Sequence, residues 1–131
     1  VFNSFHTHKK ERKPIYHTNV MMCNGTHYSV ICLDAIDDQA EMKKVVESLE
    51  DDNKEIITIS EEQLKLFAGN MIELRKNKNS FLFMSETAYL SLEGNQLKRL
   101  KAHSELIYSS VDTIEKCGGG SVRCMIAEIF N

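Results

Sequence analysis

Long apolar runs, paired cysteine motifs and charge of one dominant sign are all missing from this 131-residue chain. No stretch approaches the roughly 18 apolar residues of a membrane span, and VFNSFHTHKKERK has no apolar core of the kind a secretory signal needs. A cytoplasmic location without membrane association is expected. Sixteen basic and nineteen acidic residues leave a formal net charge of -3, with the basic ones interspersed among acidic ones, so there is no nucleic-acid footprint. The four cysteines (Cys23, Cys32, Cys117 and Cys124) include no CxxC, which argues against a zinc knuckle or a thioredoxin-like redox pair. They read as free thiols. His6, His8 and His17 could in principle catch a metal, but their polar, aperiodic surroundings read as a surface tail over residues 1–13, ahead of Pro14.

What is present suits one soluble domain with its own core: 42% hydrophobic and 27% charged residues. After Pro14, IYHTNVMMC and YSVICLDAI flank the turn signal NGTH and predict a hairpin. Asp37 and Asp38 then precede Met42, Val45, Val46 and Leu49 at helical spacing, which predicts a helix over about 39–50, followed by a strand EIITI at 55–59. Ser60 and Gln63 form a capping-box pattern. The order then recurs: a strand from Ala68 to Leu74, a KNKN turn, a strand SFLFMS, a helix carrying Leu92, Leu97 and Leu100 that ends near His103, and a strand ELIYS at 105–109. VDTIEKC starts another short helix, and CMIAEIF reads as a last strand. The fold class is α/β, as two ββαβ modules of about 50 residues, either repeated around an axis or laid out as an unrelated open sandwich.

Two residues stand out for chemistry. Cys124 follows GGGS, whose glycines allow a close backbone approach, and the neighbouring cation Arg123 would favour a thiolate; a small buried hydrophobe is the plainer reading of the same cysteine. His17 lies at the start of the first strand with Asn19 two residues on, which alternation places on the same face as an acid–base group and a polar contact. An exposed edge histidine is the plainer reading there. GGGS lacks the Lys-Ser or Lys-Thr of a phosphate loop and the glycine spacing of a dinucleotide fold.

Together, PIYHTNVMMCNGTHYSVICLDAI, EQLKLFAGNMIEL and GGGSVRCMIAEIF resemble the C-terminal part of the amidinotransferase and arginine deiminase (pentein) superfamily of guanidine-modifying enzymes, most closely the bacterial citrulline-utilisation hydrolases. The resemblance runs from Pro14 to Phe130 and implies a partial α/β propeller of ββαβ modules over residues 14–131. It implies Cys124 as nucleophile, His17 as acid and base, Asn19 as a substrate contact, a small guanidino substrate, and neither metal nor organic cofactor. Arginine deiminases usually carry aspartate where Asn19 stands, so the grip on a free guanidinium differs here. The superfamily's other carboxylates come from modules before the YHT segment, which thirteen polar residues cannot supply. About half of such an enzyme is therefore expected, with little or no turnover alone and self-association through its exposed module ends. Hydrolysis, amidino transfer and a catalytically incomplete interaction domain are the functions in contention, with a metal-binding domain a more distant one.

Overall fold

The structure, a computed structural model, describes residues 1–129. It opens on a polar hairpin in which β1 (Phe5–His8) pairs antiparallel with β2 (Glu11–Pro14). Residues 1–13 are therefore not the structureless tail that their lack of periodicity suggested. Lys9 and Lys10 make the turn at φ 49° and 68°, the left-handed pair that matches strand twist and that asparagine and glycine usually supply. Charge anchors this hairpin more than apolar burial does. Arg12 bridges Asp37 and Glu61 and donates to the Asp34 carbonyl at 3.0 Å, while the Thr7 N–H donates to Glu61 Oε2 at 3.1 Å.

The first module follows. β3 (Met22–Asn24) and β4 (Tyr28–Ile31) are antiparallel across the NGTH turn. Helix α1 (Gln39–Asp51) then crosses over, and β5 (Glu55–Thr58) returns parallel to β4. The Asp38 side chain accepts from the Glu41 N–H at 2.9 Å and starts α1, satisfying one of the donors a helix N-terminus leaves free. Leu49, Met42 and Val45 then turn to the core. His17 to Val20 lie outside β3: His17 caps a 3-10 turn over Thr18–Val20, so the expected strand begins five residues later than His17.

A short helix α2 (Glu61–Lys65) connects the modules, opened by the Ser60–Gln63 capping box. The second module repeats the first. β6 (Ile72–Lys76) pairs antiparallel with β7 (Asn79–Ser85), and β8 (Glu105–Ser109) runs parallel to β7. Two helices, α3 (Glu86–Ser91) and α4 (Gly94–His103), replace the single one expected, because Leu92 leaves helical backbone at ψ 138° and Glu93 opens a new capping box with Gln96. In both modules the central strand is antiparallel to its predecessor and parallel to its successor. This repeated topology makes an α/β fold of the pentein type, and among the described residues the sheets do not close into a ring.

One core serves both modules: Met21, Tyr28, Val30 and Ile57 of the first join Met71, Leu82, Met84 and Leu100 of the second. Polar groups fix how the modules meet. Gln63 Nε2 donates to Gln96 Oε1 at 2.7 Å and Gln96 Nε2 donates back to Gln63 Oε1 at 3.1 Å. Their second amide hydrogens reach the Ser91 and Thr58 carbonyls at 2.8 and 2.7 Å, and all of these groups are buried or partly buried. Elsewhere Glu73 on β6 accepts from the Thr26 N–H and hydroxyl at 3.1 and 2.6 Å and from Ser104 Oγ at 3.2 Å.

The chain ends differently from expectation. After α5 (Asp112–Gly118), Cys124 sits in a helical turn, α6 (Val122–Met125), and residues 126–129 form no strand. Apolar alternation in CMIAEI is common to a strand and a short amphipathic turn, and the Cys124 N–H donating to the Ser121 carbonyl at 3.0 Å decides for the turn. Phe130, the end of the expected strand, lies outside the described residues.

Candidate active site

Three turns build the site, each shaped by a local backbone requirement. The first is the 3-10 turn carrying His17, Asn19 and Val20. The second ends α2. There the Ala68 N–H donates to the Gln63 carbonyl and the Phe67 N–H to the Leu64 carbonyl, each at 3.0 Å, the paired bonds of a Schellman motif. Phe67 occupies the left-handed position at φ 64°, a place where glycine avoids a steric cost that phenylalanine bears. Gly69 then lies so close to the first turn that a Cβ there would be 2.4 Å from the Val20 carbonyl oxygen. The third is the glycine run. Gly119 has φ 65° at the end of α5, and a Cβ on Gly120 would sit 3.2 Å from Cys124 Sγ. Two of these glycines thus have separate duties, one reversing the chain and the other clearing space beside the thiol.

Around these turns lies a cavity of about 330 Å³ whose walls include His17, Asn19, Asn70, Gly120 and Cys124. Cys124 and His17, 107 residues apart in sequence, thus face one space. Both are exposed. Asn19 joins them with Nδ2 4.0 Å from Cys124 Sγ, although a 3-10 turn, not strand alternation, puts it there. Arg123 is not on the wall: its Nη1 donates to the Met22 carbonyl at 3.4 Å.

The residue that sequence reading missed is Asn70. It is 3% exposed, and its Nδ2 lies 3.2 Å from Cys124 Sγ and 3.1 Å from the Asn19 carbonyl, while its Oδ1 accepts the Arg123 N–H at 3.2 Å. Nothing local to FAGN marks it, since its partners lie 51 to 54 positions away. The polar hairpin was missed as well. It brings His6, Thr7 and His8 to the cavity, with Tyr16 and Lys65 nearby.

None of the described residues that line the cavity is acidic. Among the described residues no three metal-ligating side chains converge either. The remaining thiols differ in kind. Burial pushes Cys23 up to about 12 and Cys32 up to about 11, keeping both protonated at neutral pH. Cys117, on α5, is exposed but not part of the cavity wall.

Two ββαβ modules of the same topology make this an α/β protein of the pentein type. A family model extends that result along nearly the whole chain, covering residues 2–131. The chain belongs to the N,N-dimethylarginine dimethylhydrolase family in its eukaryotic form, a family of guanidino-group hydrolases. This places it in the expected superfamily but in a different branch from the bacterial citrulline-utilisation enzymes. No curated protein and no solved structure matches the chain. Among the described residues no helix is long and apolar enough to cross a membrane.

Proposed function

We propose that this chain carries the nucleophile and the acid–base group of a cysteine-dependent hydrolase of guanidino compounds, Cys124 and His17. The observation that carries the reading is the shared cavity: an exposed thiol held at 3.2 Å by a buried amide, with an exposed imidazole on the same wall. Cys124 Sγ attacks the planar guanidino carbon, and the bond from that carbon to its departing nitrogen breaks as His17 gives that nitrogen a proton. The product of this half is an S-linked thiouronium and a free amine. Water then adds to the same carbon, His17 takes one of its protons, the C–S bond breaks as the second proton passes to solvent, and a neutral ureido product leaves with the thiolate restored. A substituted guanidine, as in the family's methylated arginines, supplies an alkylamine as the departing group. Hydrolysis fits better than amidino transfer because water needs no acceptor pocket.

The cavity wall's lack of acids separates binding from turnover. A cationic guanidinium meets Asn19 where a carboxylate would compensate its charge, so turnover by this chain alone should stay near background while the covalent step remains open to an electrophile. Chloroacetamidine, a planar cationic alkylating agent, tests this when compared with neutral iodoacetamide. Peptide mass analysis should show Cys124 favoured over the exposed Cys117 with both reagents. Equal labelling of the two cysteines, or a preference for Cys117, would sink the assignment. Ureido product from methylated arginines that disappears in Cys124→Ala would overturn only the expectation of weak turnover.

A further inference from the structure

We propose that Asn70 is a positioning residue for Cys124, a locked amide whose N–H selects the ionised sulfur and ties the nucleophile's turn to the histidine's. This rests on Cys124 being the nucleophile. The orientation of an asparagine amide must ordinarily be inferred from its partners, and here both partners are backbone groups with only one possible role. Oδ1 faces the Arg123 N–H at 3.2 Å, which can only donate, and Nδ2 faces the Asn19 carbonyl at 3.1 Å, which can only accept. Flipping the amide would set donor against donor and acceptor against acceptor, so the flipped form is excluded.

The locked orientation leaves Nδ2 3.2 Å from Sγ and Oδ1 3.7 Å from it. A protonated thiol, a weak donor, gains little from an oxygen 3.7 Å away, whereas a thiolate accepts the nearer Nδ2 hydrogen fully. With Asn70 only 3% exposed, water competes weakly for that bond. The same amide spans two segments that sequence keeps far apart. Arg123 immediately precedes Cys124, and Asn19 lies two residues after His17, so one buried side chain sets the distance between the two reacting groups' backbones. Its own place is fixed by the left-handed Phe67 and by the contact of Gly69 with Val20.

The test uses the whole chain with Cys117→Ala, leaving Cys124 as the one exposed thiol, and follows iodoacetamide alkylation of the Cys124 peptide against pH. Adding Asn70→Ala should move the alkylation profile to higher pH and slow alkylation at pH 7 about tenfold, the loss expected when a charge-assisted hydrogen bond is removed. Asn70→Asp should move it further, since its carboxylate opposes the thiolate. A profile in Asn70→Ala that overlays the parent's, with circular dichroism unchanged, overturns the proposal. A second measurement needs no variant at this position. In parent protein labelled with 15N-asparagine, the Asn70 side-chain protons should move downfield over the pH interval in which Cys124 becomes reactive, and immobile resonances overturn the proposal. The functional reading can fail separately. A shifted Asn70→Ala profile with no amidine preference for Cys124 sinks that reading and leaves the locked amide standing; amidine capture with an unshifted profile does the reverse.

Discussion

A methyl group at position 69 would lie 2.4 Å from the Val20 carbonyl oxygen and 2.8 Å from the Met21 carbonyl carbon. Both are backbone atoms, so no side-chain rotation relieves the clash. Gly69→Ala should cost about 2–3 kcal/mol, as overpacking at a rigid contact does, and should loosen the site because the displaced turn carries Asn19. Paired chemical melts would show the loss, and an unchanged midpoint would mean the turns are not in contact. Glu73 is the second informative residue. Burial alone would raise its carboxyl, but hydrogen bonds from the Thr26 hydroxyl and N–H outweigh burial and hold it below the ordinary range. A carboxyl that ionises more easily folded than unfolded stabilises fully above its unfolded value, about 4.3, and loses that contribution as pH falls through the lower folded value. Urea midpoints should therefore drop on going from neutral pH to about pH 3, and Glu73→Gln should flatten part of that drop. A variant with the same acid slope as the parent would show that the Glu73 contacts do not matter to stability.

At the level of elements, the two crossed glutamines set a sharper expectation. Gln63 and Gln96 each occupy the third position of a capping box, and each also bonds the other across the module joint. Removing either leaves buried partners unsatisfied, so Gln63→Ala and Gln96→Ala should each cost about 2 kcal/mol. The double variant should cost less than their sum by on the order of 1 kcal/mol. Strict additivity in a double-mutant cycle would refute the coupling. The elements were legible where apolar spacing and a cap agreed: α1 behind Asp38, the Ser60 box and the ELIYS strand all stand where pattern put them. Legibility failed where polar contacts decide the backbone. The β1–β2 hairpin depends on Arg12 meeting Asp37 and Glu61 from distant segments, and no local pattern announces that. His17 and Cys124 stood out in the sequence, but each was placed on a strand and each proved to sit on a turn, because short apolar alternation cannot distinguish the two. Asn70 was invisible for a related reason, since its importance lies wholly in partners 51 to 54 positions away.

Across the whole molecule, the outer edge of β8 has no partner strand among the described residues. Ile107 and Tyr108 on it are 37% and 45% exposed, and Ile114 and Met125 are exposed as well. Unpaired strand edges with apolar side chains recruit further chains, so the protein should scatter as more than its 15.0 kDa monomer at micromolar concentration. Tyr108→Lys should push it back toward monomer. A constant monomer mass over a concentration series would defeat the expectation.

The crossed glutamines also bear on how the site holds together in time. Gln63 braces the first turn of the short helix that leads into Phe67 and Asn70, so undocking the second module releases Gln63, that helix loses its brace, and the amide holding the thiol loses its footing. The nucleophile's surroundings and the module joint then open as one event. In native-state hydrogen exchange, the Arg123 amide bonded to Asn70 should share its opening free energy, and its response to denaturant, with the amides at the starts of α2 and α4.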